Sequence, residues 1–353
     1  MGVSKITVTM LGPSHSGKTT FMYGMYATLS AGIEGYFLNA KDPDKDLDLM
    51  DNWDLLCDEG QLPPPTADVP ISYEFVFKHG VRSLVDIDWM DFRGGATVER
   101  AGAPESLSDV VKLRERLKES DSIYLVLDGR YVGEWIKDGA PATVTRGPMK
   151  VSHLSNHISR TVEERINAGL PAPSLVVLIT KIDVLAEITG MPKKDAIFRA
   201  MDNLQNLVPI AFSEGVTTLI CPVQLGDFGI GDHRKVDPAK LDVRYMHKPI
   251  IFSLLYDINC RIARDSRRLE ELRARGQATE GELEQLRAGF WNGFFKRSQI
   301  AERIDGLGGI RAAVEEVSQE LETARTRVDQ LWKELNTLRI VEDGKIRENG
   351  KSR

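Results

Sequence analysis

The apolar run Ile6 to Leu11 passes straight into Gly12-Pro-Ser-His-Ser-Gly17-Lys18-Thr19-Thr20, and from there into the helix-periodic Phe21-Met-Tyr-Gly-Met-Tyr26. A strand, a loop with glycine at both ends and a helix, in that order, leave the chain little freedom. This piece predicts a strand–loop–helix unit with its loop at the carboxyl end of the strand. The spacing G-x-x-x-x-G-K-[ST] gives the loop a chemistry. Its glycines let successive N–H groups and the helix N-terminus converge on an anion, Lys18 reaches β- and γ-phosphates, and Thr19 offers a hydroxyl to Mg²⁺. The candidate phosphate-binding residues are therefore Gly12, Ser14, His15, Ser16, Gly17, Lys18, Thr19 and Thr20. The competing reading, a glycine-rich turn that merely caps a helix, is disfavoured by the order of elements. Phe21, Met22, Met25 and Tyr26 follow helical spacing and are read as core.

Beyond this unit, β-branched runs at Ile71 to Phe77, Leu84 to Met90, Ile123 to Leu127, Leu175 to Thr180 and Val216 to Val223 read as strands. Helical patterns at Thr19 to Ser30, Pro104 to Glu119, Ser152 to Ala168 and Lys193 to Leu207 separate most of them. Such alternation predicts an α/β fold, a mostly parallel sheet with helices on both faces, over residues 1–250. Only Ile71 to Phe77 and Leu84 to Met90 look like a hairpin, across Lys78-His-Gly80. Residues 32–70, 129–150 and 226–248 are too long for simple connections and are read as functional insertions, the first holding a short helix within Asp44 to Glu59.

A magnesium-bound triphosphate needs a second anchor, and Leu84-Val-Asp86-Ile-Asp88-Trp-Met-Asp91-Phe-Arg-Gly94-Gly95 offers three carboxylates. Asp91 is favoured because it ends the strand, where ligands collect in open α/β sheets, and because Asp91-Phe-Arg-Gly94 reads D-x-x-G. Gly94 would give the γ-phosphate a backbone N–H and a pivot. At another strand end stands Thr180-Lys181-Ile182-Asp183, a [NT]-K-x-D sequence. A carboxylate at Asp183 can accept from the N1–H and N2–H₂ of guanine, whereas adenine presents a bare N1 acceptor. Lys181 could pack its stem along the base.

Taken together, the three motifs resemble the translation-factor-like and Ras-like (TRAFAC) class of P-loop GTPases over about residues 3–265. Gly12 to Thr20, the Leu62-Pro-Pro-Pro-Thr66 segment and Asp91 to Gly95 look most like the bacterial double-GTPase group, whose members are linked to multi-protein conflict or defence systems. The resemblance implies a P-loop NTPase fold, GTP or GDP as ligand, Mg²⁺ held by Thr19, Asp91 and Thr66, and a base pocket lined by Gln224 and Leu225. Thr66 would be the switch threonine touching metal and γ-phosphate. Where many relatives carry the glutamine that orients water, this chain has Gly95, so slow intrinsic hydrolysis is expected. Charge could come from Arg93, from His15 or from a partner's arginine, an effect of about 10³ to 10⁵ in rate.

No proline follows Pro249, and apolar residues from Ile310 to Leu338 recur at alternating spacings of four and three. A second seam runs from Leu255 to Phe290, interrupted by Asp265 and Gly276, and Gly306, Gly308 and Gly309 are read as a break. Residues 251–345 are expected to form a helical hairpin in preference to an intermolecular coiled coil, with 346–353 disordered. Phe290-Trp-Asn-Gly-Phe-Phe295 is read as packing at the helix junction ahead of docking a partner or touching a membrane surface.

A net charge of −6 advertises no nucleic-acid partner, no apolar stretch is long enough to span a bilayer, and Cys57, Cys221 and Cys260 show no disulfide or zinc spacing. His153 and His157 share a helix face without completing a metal site. The expected protein is a cytoplasmic GTP-hydrolysing switch that signals to a protein effector or regulator. The alternatives are a nucleotide-locked scaffold acting through its coiled coil, a dynamin-like machine, and an ATPase with a coincidental T-K-x-D.

Overall fold

The computed structural model describes residues 4–63, 70–92, 104–139, 151–231, 234–288 and 295–347. In chain order, the first half comprises β1 (Ser4–Leu11), α1 (Lys18–Ser30), β2 (Tyr36–Ala40), α2 (Pro43–Glu59), β3 (Ile71–His79), β4 (Arg82–Asp91), α3 (Pro104–Glu119), β5 (Ser122–Asp128) and α4 (Gly129–Asp138). There follow α5 (Val151–Asn167), β6 (Ser174–Thr180), α6 (Ile182–Thr189), α7 (Lys193–Leu207), β7 (Thr217–Pro222), β8 (Gln224–Gly226) and β9 (Leu241–Arg244). The chain ends with α8 (Lys248–Ala288), α9 (Phe295–Leu335), β10 (Arg339–Glu342) and β11 (Lys345–Arg347).

Every residue of β5 and of β6 is buried, the pattern of central strands covered on both faces. They lie inside a nine-stranded sheet of order β11-β10-β7-β6-β5-β1-β4-β3-β2. Pairing is parallel from β4 through β1, β5 and β6 to β7, and antiparallel at both edges. Alternation along β5 separates the two layers. Ile123, Leu125 and Leu127 join the core made with α3 to α7, whereas the Tyr124 ring meets Phe21 of α1 and its hydroxyl bonds Ser253 in the first turns of α8. All parallel strands therefore end on one rim, where β1 delivers the Gly12–Thr19 loop, β4 delivers Asp91 and β6 delivers Thr180 to Asp183.

The expected mixed α/β architecture is present, and β3 and β4 form the expected hairpin. Three insertions hold more structure than their sequence suggested. Residues 32–70 add the edge strand β2 as well as α2, residues 129–150 begin with α4, and residues 226–248 contain the β8–β9 pair.

The described parts of residues 1–253 and 335–353 form one unit, and residues 254–334 a second. The second unit is a pair of long helices. Leu269 on α8 packs with Val317 and Leu321 on α9, and Glu280 and Glu282 pair with Arg311 and Arg303, a register that runs the helices antiparallel. Two expectations are corrected. The glycines at 306, 308 and 309 do not break the chain: α9 runs through them, with open space where a Cβ would stand. Nor does helix continue to residue 345, because α9 stops at Leu335 and the chain returns to the sheet, where β10 pairs with β7 and Val341 enters the core. Ile346 and Arg347, expected to be disordered, belong to β11, and residues 348–353 lie outside the described residues.

Candidate functional site

The phosphate-loop residues fold around their own lysine. Lys18 Nζ donates to the carbonyls of Gly12 and Pro13 at 3.0 and 2.9 Å, and the residue is only 5% exposed. Burial pushes its ammonium below the ordinary lysine value, and the charge of Asp91 pulls in the opposite direction. Ser16 is buried, with its hydroxyl on the Pro13 carbonyl at 2.9 Å, while Ser14 and His15 are exposed and Thr19 and Thr20 half-buried. The curl needs two left-handed residues, His15 (φ 63°) and Gly17 (φ 85°), the second standing immediately before α1. At Gly12 the constraint is space: a Cβ would lie 2.9 Å from that of Val126.

Of the three carboxylates on β4, two pair with lysine or arginine. Asp86 pairs with Lys41 at 2.6 Å, and Asp88 takes Arg116 at 2.7 Å and Lys5 at 2.9 Å. They occupy the half-buried face of the strand, whereas Asp91 falls on the buried register, 1% exposed and beside Met10 at the end of β1. Its charge acts on the buried Lys18 ammonium.

The β6 terminus is tied into the same loop. Thr180 Oγ1 donates its one proton to Ser16 O at 2.8 Å, with Leu127 O a more distant second acceptor at 3.2 Å. Lys181, left-handed at φ 50°, donates to His15 O at 2.7 Å and pairs with Asp128 Oδ2 at 2.5 Å. Asp128 in turn caps α4 by accepting from Arg130 N at 2.9 Å. Two residues of the T-K-x-D sequence thus grip two residues of the phosphate loop, and Asp183 follows in the first turn of α6, 8% exposed.

Asp183 has neighbours that the sequence did not announce. Its Oδ2 accepts the backbone N–H groups of Phe228 and Gly229 at 2.8 and 2.9 Å, and the next N–H, of Ile230, goes to Glu187 Oε2 at 2.9 Å. Three consecutive donors aimed at carboxylates make a backbone nest around left-handed Gly229 (φ 71°). The signal for it, Gly226-Asp-Phe-Gly-Ile-Gly231, lies inside the long insertion but matches no common motif. Gln224 and Leu225 lie just before it. Gln224 is buried and donates through Nε2 to Asp242 at 2.8 Å, so its amide serves the β8–β9 pair, and Leu225 is half-buried.

Thr66, Arg93, Gly94 and Gly95 lie outside the described residues, as do residues 290–294 and the Phe295 side chain. His153 and His157 lie on α5, where burial lowers the His157 imidazole from its ordinary value. Among the described residues, no three His, Cys, Asp or Glu side chains converge as a metal cage, and no helix is long and apolar enough to cross a membrane.

No protein-family model and no curated protein matches the chain. Among solved structures it is similar to a crystal structure of sup35 complexed with GDP, at 14% identity and a TM-score of 0.31 over 68% of this chain. The match spans 41% of the other chain.

Proposed function

We propose that the chain binds guanosine triphosphate with Mg²⁺, hydrolyses it slowly, and uses the nucleotide state as a switch. One observation supports the reading: Thr180 and Lys181 bond to Ser16 and His15, so the T-K-x-D sequence meets the Gly12–Thr19 loop at the rim of the sheet where β4 ends in Asp91. A phosphate tail can then lie along the Gly12–Thr19 backbone with Lys18 as its cation, while the purine ring reaches Asp183. The donor set suits Mg²⁺, a hard ion that keeps waters and needs few protein oxygens: the Thr19 hydroxyl and the buried Asp91 carboxylate, with Thr66 as the switch ligand. Bound there, the metal would neutralise charge on the β- and γ-phosphates.

Slow turnover follows from Gly95 in the position of a water-orienting glutamine, with Arg93, His15 or a partner's arginine supplying charge. The nucleotide state would be read by a protein partner through residues 32–70, 93–103 and the helical arm. Assignment to the bacterial double-GTPase group rests on the Gly12–Thr20, Leu62–Thr66 and Asp91–Gly95 sequences alone. The Gly95 substitution also favours a second reading, a scaffold that holds nucleotide without appreciable turnover.

The test titrates the full chain with labelled GTP, ATP and xanthosine triphosphate in Mg²⁺ and follows phosphate release. GTP should bind about 100-fold or more tighter than ATP, since guanine offers the Asp183 carboxylate two donors where adenine presents a bare N1 acceptor that it repels. Asp183→Asn should erode that preference and favour xanthosine triphosphate, whose O2 can accept from the new amide. ATP preference, or selectivity unchanged by Asp183→Asn, would overturn the assignment. Tight GTP binding with no release above background, with or without candidate partners, would leave the scaffold.

A further inference from the structure

The nest around Asp183 continues into a segment with a second attachment. From β8, Asp227 pairs with Lys193 at 2.8 Å, Phe228 and Gly229 cover Asp183, Ile230 holds Glu187, and Arg130 donates to Gly231 O at 3.4 Å. On its return, the segment pairs with the turn after α2: Leu62 N donates to Arg234 O at 3.3 Å, Val236 N to Gly60 O at 2.7 Å, and Gln61 bridges Lys235. The backbones approach so closely that a Cβ at Gly60 would stand 1.8 Å from Val236 O. The same strap therefore touches the residue that would read a base and the three residues leading toward Thr66.

A carboxylate oxygen has two lone pairs in its plane, and two N–H groups already fill those of Oδ2. A guanine edge presents two parallel donors, N1–H and N2–H₂, and needs both oxygens of the same carboxylate. We infer that residues 227–231 together with 234–236 act as an autoinhibitory strap: the backbone of the first stretch competes with guanine for Asp183, and its release by the base loosens the pairing of the second with residues 60–62. The inference rests on the guanine reading above and deepens it by naming how base occupancy is relayed to the first insertion. A competing strap lowers apparent affinity by the fraction of molecules in which it is closed, so weakening its other anchors should raise affinity for nucleotides that carry the base.

Glu187 is exposed on α6 and Lys193 is partly exposed on α7, so neither truncation endangers the core. Kd is measured on the full chain for labelled GDP and for inorganic tripolyphosphate, together with amide hydrogen exchange of residues 228–230 and 60–62. Glu187→Ala and Lys193→Ala should each tighten GDP binding by about three- to tenfold, with Glu187→Gln, which keeps an acceptor, in between. Tripolyphosphate affinity should not move. In the wild type, GDP should speed exchange at both segments where tripolyphosphate does not. Unchanged or weaker GDP binding in both Ala variants would overturn the strap, as would a parallel change in tripolyphosphate affinity or slower exchange at either segment. If neither the wild type nor the variants prefer guanine over adenine, the function reading itself falls and the strap falls with it.

Discussion

The two ends of the proposed nucleotide site are held in different ways. At the phosphate end the contacts are local: Lys18 bonds carbonyls five and six residues away, and Ser16 one three residues away. At the base end they reach across the chain, with Thr180 and Lys181 meeting residues 164 and 166 positions earlier and Asp183 meeting donors 45 and 46 positions later. A loop closed on itself carries its geometry wherever its strand and helix go. The proposed base site, assembled from the end of β6, the Gly12–Thr19 loop and the 226–248 insertion, exists only when the whole rim is in place, and so can be opened by moving one part of it. The phosphate end is the fixed grip and the base end the adjustable one.

The largest expected effect tests the fixed grip. Lys18→Ala removes the loop's only buried cation, and with it charge-assisted contacts worth about 1.5–3 kcal/mol each. Affinity for GTP, ATP and inorganic tripolyphosphate should fall together, by about 100-fold, in equilibrium titrations. Guanine preference among the residual binding should survive. If preference disappeared as well, the two ends would be one cooperative unit and the contrast between them false.

That contrast also explains what could be read from the chain. The Gly12–Thr19 loop was legible because its determinants are contiguous: a strand, two glycines, Lys18 and a helix. Asp91 could be preferred over Asp86 and Asp88 from its place at the strand end, but the ion pairs that commit the other two, to Lys41, Lys5 and Arg116, depend on neighbours that sequence does not bring together. The nest at residues 228–230 was invisible because it uses backbone N–H groups, which every residue has. In the arm, Val314, Val317 and Leu321 of the seam pack with Ile262, Leu269 and Leu272, yet the helix stops at Leu335 and Asp343-Gly344, a two-residue turn with both residues left-handed (φ 51° and 75°), folds β10 against β11 where periodicity alone reads on as helix. The glycines at 306, 308 and 309 misled in the opposite direction, since an exposed helix tolerates each at about 1 kcal/mol.

A smaller effect separates the two long-range ties at the base end. Thr180→Val keeps the side chain's shape and removes the hydroxyl that serves Ser16 O and Leu127 O, both inside the protein. The Ser16 carbonyl then loses its hydroxyl donor, which should cost about 1–3 kcal/mol in urea unfolding, insensitive to salt because no ion takes part. Lys181→Ala removes an ammonium that is 32% exposed but leaves the Asp128 carboxylate, 5% exposed, without its cation, although Asp128 still caps α4. Its cost should be comparable, about 1–3 kcal/mol, but it should shrink between 50 mM and 500 mM salt as ions screen the partly exposed ammonium. His15 then loses the contact that holds its left-handed backbone, so the exposed crown of the loop should loosen while the Lys18–Gly12 core stays closed, visible as faster amide exchange at residues 14–16 but not at 17–19. A Lys181 cost larger than that of Thr180, undiminished by salt, would mean that the ion pair holds the loop from outside and that the phosphate end is not self-supporting.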